Sequence, residues 1–273
     1  MTTAVELDNH VELHLEQLSV DQYHAMLQAG ILEEGAPVEL LNGLLVRKDR
    51  RDGDGTGQWK PMPDSSRPGH FLTYDRNHLL SFHPLTVEQY HAMIEAGILP
   101  EGEPIELLNG LLVRKDRRDK TGDIMTIGPR HATAISLLLQ MLTQKFSRQT
   151  AFVRCQLPIT LRRNEPEPDL AVVLGKMDEF RERHPTPFDL ALVVEVSDHS
   201  LSIDRNYKQE IYAEAGIREY WIVNLADNLI EIYQDPQPDT QTYARRSEVH
   251  PGELVSLDIS GQMYSFDAAD VLV

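Results

Sequence analysis

Two stretches of 35 residues repeat almost verbatim at a fixed offset of 67. LSVDQYHAMLQAGILEEGAPVELLNGLLVRKDRRD begins at Leu18 and LTVEQYHAMIEAGILPEGEPIELLNGLLVRKDRRD begins at Leu85, with 28 of 35 positions identical. Whatever the chain folds into must build the same local structure twice. Solenoids need several stacked repeats, so two copies indicate a partial tandem duplication. Each copy opens with a helix start: Ser19 or Thr86 as N-cap, with Gln22 or Gln89 three residues later, the spacing of a capping box. Gly30 and Gly97 end the helices. "VELL" or "IELL" then reads as a short strand, and Asn42-Gly43 and Asn109-Gly110 are two-residue hairpin turns leading into "LLVRK".

Between the copies lies RRDGDGTGQWKPMPDSSRPGH, whose Gly, Pro and Ser content reads as linker or disordered loop. Only the second copy runs directly into the remaining chain. There the spacing of Ile135, Leu138, Leu139 and Leu142 predicts a helix over Arg130 to Phe146. Strands are expected at "AFVRCQ", "LPITLR", "PDLAVVL" and "ALVVEVS". A helix follows over Ile203 to Ala215, then a hairpin of "REYWIVNL" and "LIEIYQ" turning at Asp227-Asn228. The tail supplies short strands and a last half-turn of helix. This order predicts an α/β fold with a mixed sheet flanked by helices. The division it suggests is a partial duplicate at 1–52, a linker at 53–84 and the main domain at 85–273.

Charge and cysteine usage narrow the function classes. The net charge of −17 argues against nonspecific nucleic-acid binding through bulk electrostatics, without excluding a local basic groove. Cys155 is the only cysteine, which excludes an intramolecular disulfide and a thiolate metal cage. No apolar run approaches a membrane span, and the N-terminus lacks a basic-then-apolar signal pattern. The expectation is a cytoplasmic protein without membrane partners.

Glu195 is the residue hardest to explain as mere structure. Ala191 to Val194 and Val196 read as a strand buried on both faces, where a carboxylate is costly unless it meets a cation, a metal or several donors. Asp169 opens another apolar strand, Glu106 lies in "PIELL", and Lys208 sits on the helix after Glu195. Carboxylates at strand ends can hold Mg²⁺, or Mn²⁺ in its place, through oxygen ligands. A lysine beside them can orient or deprotonate a water, and metal plus lysine is a solution for phosphodiester hydrolysis. Each residue also has a plainer reading. Asp169 after Pro168 could simply start a strand, Glu106 could pair with a surface arginine, and Lys208 could form an ordinary helix ion pair with Asp204.

"PDLAVV", "ALVVEVSDHS" and "DRNYKQEIYAEAGIREYWIVN", in this order, together with "IELLNGLL" and the histidine of "GPRHA", resemble the Uma-type group of bacterial restriction endonucleases. That group lies in the PD-(D/E)xK nuclease superfamily. The resemblance covers residues 85 to 273. It implies a restriction-endonuclease-like core in which Asp169 is the aspartate of PD and Glu195 the acidic residue of (D/E)xK. The residue two after Glu195 is Ser197 rather than lysine, so the resemblance assigns the lysine to Lys208 on the next helix. It assigns the extra N-terminal acidic residue to Glu106. His131 matches a family histidine, able to bind phosphate at a helix N-terminus or merely to cap it, and Asp204 is expected to orient Lys208. Without metal, Glu106, Asp169 and Glu195 should repel one another and raise at least one pKa.

The function expected is a Mg²⁺-dependent DNA endonuclease, with DNA as partner. The alternative is a non-catalytic nucleic-acid-binding or protein-interaction module on a nuclease fold. Arg114, Lys115, Arg117, Arg118 and Lys120, with Arg162 and Arg163 farther on, are candidate phosphate contacts, although such a run is usually a solvated loop. Two near-identical segments compete for one place. The shorter tether favours Leu85 to Arg118 for the core position, leaving Leu18 to Asp52 to pack peripherally or move. Exchange between the chains of a homodimer is a further expectation, since duplicated elements invite swapping.

Overall fold

The computed structural model describes residues 2–7, 11–47, 72–75, 78–80, 82–115, 128–146 and 150–272. Most of the expected linker, and the cations Arg117, Arg118 and Lys120, lie outside the described residues. The chain divides into two compact units, Met1–Lys115 and Asp116–Val273.

The first unit contains β1 (Thr2–Leu7), β2 (Val11–Glu16), α1 (Val20–Gln28), β3 (Val38–Leu41), β4 (Leu44–Arg47), β5 (Leu72–Asp75), β6 (His78–Leu80), α2 (Val87–Glu95), β7 (Ile105–Leu108) and β8 (Leu111–Arg114). Both predicted capping boxes form, with Ser19 and Thr86 accepting from the backbone of Gln22 and Gln89 and each glutamine closing back on its N-cap. Such a cap contributes about 1 kcal/mol. Both Asn-Gly turns have positive φ at each residue, 48° and 80° in the first copy and 50° and 78° in the second. That is the twist a type I′ hairpin requires, and β3–β4 and β7–β8 pair accordingly. Gly110 has a second reason to be glycine: a Cβ there would meet that of Pro84 at 2.5 Å.

The first copy is not left at the margin of its unit. Leu18, Met26, Ile31, Leu32, Val38 and Leu45 share one apolar core with their counterparts Leu85, Met93, Ile98, Leu99, Ile105 and Leu112. The copies differ in burial. All of β7 is buried, whereas Glu39 and Leu40 of β3 are half-buried and Leu41 is exposed.

The second unit contains α3 (Pro129–Lys145), β9 (Ala151–Cys155), β10 (Leu170–Leu174), β11 (Leu190–Ser197), a wide π-helical turn at Ile203–Lys208 running into α4 (Gln209–Glu214), β12 (Glu219–Asn224), β13 (Leu229–Gln237), β14 (Thr242–Val249), β15 (Leu254–Ile259) and β16 (Gln262–Asp267). Six strands form one mixed sheet in the order β14-β13-β12-β11-β10-β9. β11 and β12 are parallel, joined by the π-turn and α4, and the other pairs are antiparallel. Alternation along the strands sends Leu170, Val172, Leu192, Val194 and Val196 to one face. There they pack with Ala134, Ile135, Leu138 and Leu142 of α3 and with the β15–β16 hairpin. The opposite face carries Glu195 and Tyr220 beneath Tyr212 of α4. The expected hairpin forms, with Asn224 opposite Leu229 and Asn228 at φ 56°.

Two local expectations are corrected. "LPITLR" is not a strand. Gln156 ends β9 at φ 49°, and Pro158 lacks the donor a ladder needs. The segment is instead tied down by Ile159 N–H to Pro166 O, Thr160 N–H to Pro185 O and Leu161 N–H to Asn164 O. The helix predicted over Ile203 to Ala215 is α-helical only from Gln209, because its first turns open into the π form. Among the described residues, no helix is long and apolar enough to cross a membrane.

Candidate active site

The second unit gathers Asp169, Glu195, Lys208, His131 and Asp204 at one end of its sheet. Leu170 lies opposite Val194 in the antiparallel β10–β11 pair. Asp169 immediately precedes β10, and Glu195 immediately follows Val194 in β11. The Val196 N–H donates to Asp169 Oδ2 at 2.8 Å, so the Asp169 side chain caps the end of the β11 ladder.

Glu195 resolves the difficulty its apolar flanks raised. It is 4% exposed, and its Oε1 accepts from Lys208 Nζ at 2.9 Å and from Tyr212 Oη at 2.7 Å. Cation and phenol together supply what a carboxylate in a buried strand needs. Lys208 reaches it from the π-turn. Asp204, on the same turn, accepts from Ser200 Oγ at 2.6 Å. Burial pushes the Asp204 carboxyl upward against the opposing pull of Lys208 and Ser200.

Asp169 behaves differently. Burial would raise its pKa, but the hydrogen bond and charge of His131, the Val196 N–H and Lys208 outweigh it and hold the carboxyl below its ordinary value. Repulsion among the carboxylates therefore does not raise Asp169. His131, in the first turn of α3, stands 3.2 Å from Asp169 Oδ2. Burial pulls the imidazole down, yet Asp169 and the nearby Glu195 leave its pKa raised.

The linkage signs differ for the two partners. His131 stabilises the fold fully below its unfolded pKa, and the contribution fades as pH rises through the higher folded value. Asp169 stabilises above its unfolded pKa, and its contribution fades as pH falls through the lower folded value. In an NMR titration the His131 ring should therefore titrate above the ordinary 6.5, and Asp169→Asn should bring it down. An unchanged His131 midpoint in that variant contradicts the pairing.

Three contributors escaped the sequence reading. Gln156 donates from Nε2 to Asp169 Oδ1 at 3.2 Å and from its backbone N–H to Asp169 O at 3.0 Å. It does so from a left-handed conformation that costs a non-glycine residue about 1 kcal/mol. Its positive φ has no local sequence signal, unlike Asn-Gly. Tyr212 is one turn beyond Lys208, and helical spacing could have flagged the pair as sharing a face. Ser200 was visible only as part of a polar turn.

Glu106 sits in the first unit on β7, 2% exposed, with Lys115 Nζ 3.6 Å from its Oε1. Arg114 in the same unit is held by Glu16 at 2.6 Å and Glu103 at 2.8 Å, so two carboxylates already neutralise this phosphate candidate. Arg162 is exposed, and Arg163 pairs with Glu214 at 3.1 Å. Among the described residues, no three or more His, Cys, Asp or Glu side chains cluster tightly enough to hold a metal ion by themselves. Asp169 and Glu195 are hard oxygen donors of the kind Mg²⁺ prefers.

The profile of the Uma2 family, described as "Putative restriction endonuclease", matches residues 87–264. Among solved structures, the "putative nuclease belonging to DUF820" from Anabaena variabilis ATCC 29413 superimposes with a TM-score of 0.52 at 17% identity, covering 69% of this chain and 98% of that one. At that identity the likeness concerns the fold. No curated protein matches the chain.

Proposed function

This chain belongs to the Uma2 family of putative restriction endonucleases, and from that premise we propose that it hydrolyses phosphodiester bonds of DNA as a metal-dependent endonuclease of the PD-(D/E)xK type. The observation that carries the reading is the side-by-side pair Asp169 and Glu195, with Lys208 bonded to Glu195 and His131 bonded to Asp169. A nuclease needs anionic oxygen ligands and a cation at one spot, and here they come from two adjacent strands and one helical turn.

Asp169 and Glu195 would hold the Mg²⁺, which when bound supplies Lewis-acid polarisation of the phosphoryl group. The protein's own groups prepare that place. His131 and the Val196 N–H keep Asp169 ionised. Tyr212 fixes one oxygen of Glu195 and so limits its rotation. Lys208 offers an ammonium whose bond to Glu195 can be exchanged for one to a scissile-phosphate oxygen or an attacking water, stabilising the charge that develops in the transition state. His131, at the N-terminal turn of α3, is suited to a second phosphate contact.

Plasmid cleavage tests the proposal. Supercoiled DNA should be nicked or linearised with Mg²⁺ or Mn²⁺ and remain intact with EDTA. Intact DNA under all three conditions, with retention in a gel-shift assay, would instead support the non-catalytic binding module.

A further inference from the structure

The two copies in the first unit touch each other reciprocally. Gln22 Nε2 donates to Ile98 O at 2.7 Å, and Gln89 Nε2 donates to Ile31 O at 2.7 Å. The two bonds are related by the repeat offset of 67 in both donor and acceptor. The strand contacts obey the same rule: Leu15, just ahead of the first copy, bridges to Val113 of the second, and Phe82, just ahead of the second, bridges to Val46 of the first. Met26 and its counterpart Met93 are both fully buried within one shared cluster.

A contact set in which residue i meets j′ whenever i′ meets j is the signature of an isologous, two-fold interface. The glutamines have the right chemistry for it. Each uses Oε1 to close its own capping box, accepting from Ser19 N–H at 2.8 Å or Thr86 N–H at 2.9 Å, and spends Nε2 on the other copy. A glutamate would cap equally well but could not donate across.

We infer that the repeat is an internalised homodimer interface: the first copy occupies the face of the second that would otherwise receive the same segment of another chain. Self-complementarity carries the argument. A surface that fits its own near-duplicate fits that duplicate equally when it comes from a second molecule, and tethering both on one chain merely makes the internal pairing win through effective concentration. The partner is thus a second copy of this chain, engaged when the first copy is displaced. This inference is independent of the nuclease reading.

The test uses the full chain. Met26→Glu places a charge at the centre of the pairing in the first copy alone and should displace it. The uncovered second copies then pair between chains, and light scattering should report about twice the wild-type mass, with α2 still protected from hydrogen exchange. Adding Met93→Glu removes the self-complementary face and should return the mass to the wild-type value. A Met26→Glu chain of wild-type mass overturns the inference, whether α2 remains protected or not. So does an association that Met93→Glu fails to reverse.

Discussion

Asp169→Asn, Glu195→Gln and Lys208→Ala should each slow plasmid cleavage by about 10³-fold, the scale seen when one preorganised electrostatic contact to a transition state is lost. The effects should not add, because groups acting as a unit lose most of their value with the first removal. A double Asp169→Asn/Lys208→Ala variant should be scarcely slower than either single one. The amide replacements are chosen for folding. Glu195→Gln keeps an oxygen for Tyr212, and Asp169→Asn keeps one for the Val196 N–H. Lys208→Ala is harsher, since it leaves a buried Glu195 with its phenol but without its cation, and its circular-dichroism melt should be read beside its rate. Wild-type nicking rates in all three variants would remove these residues from the chemistry.

The largest stability effect is expected away from that site, at Glu231. Its side chain is fully buried on β13 and receives Arg205, Arg246, Tyr233 and Asn224. Burial alone would raise its pKa, but these four donors, Arg205 foremost, hold it at about 2 against an ordinary 4.5. Glu231→Ala removes the buried partner that two arginines share, leaving Arg205 with Asp227 and Arg246 with Glu248, and should cost about 3 kcal/mol. That is the low end for breaking a buried pair, because both arginines are partly exposed and screened. The corresponding fall in melting temperature is about 6–12 °C. A carboxyl with a depressed folded pKa stabilises above its unfolded pKa and loses that contribution as pH falls towards the folded value. The gap between wild type and variant should therefore be full at neutral pH and shrink below about pH 4.5. A gap that does not change with pH would mean that packing, not charge, is the function of Glu231. Because Arg205 lies on the π-turn that carries Lys208, Glu231→Ala should also loosen the lysine's position and lower cleavage without touching the reacting groups.

The repeat shows how a duplicated sequence and a duplicated fold differ. Both copies build the same capped helix and the same hairpin, yet β7 is buried throughout while β3 has Leu41 exposed and Glu39 and Leu40 only half-buried. The residues ahead of the copies break the symmetry further. Glu16 pairs with Arg114, but its counterpart His83 stands near Arg47, and burial together with that arginine lowers the imidazole pKa. One end of the pseudo-two-fold is attractive and the other is not.

What the sequence by itself determined are the features written within a few residues of one another. Ser19 with Gln22, Thr86 with Gln89, Asn42-Gly43, Asn109-Gly110 and the turn at Asn228 specify caps and hairpins through bonds spanning at most a handful of positions, and all of them form. The apolar run around Glu195 announced both a doubly covered strand and a carboxylate in want of a cation, because desolvation cost depends on residue type alone. Tertiary structure decided what met what. His131 reaches Asp169 across 38 positions and Gln22 reaches Ile98 across 76, and neither distance leaves a mark on local pattern. The π-turn that delivers Lys208 to Glu195 likewise has no mark in the local pattern, whereas the strand lost at Pro158 was legible in the missing donor of that proline.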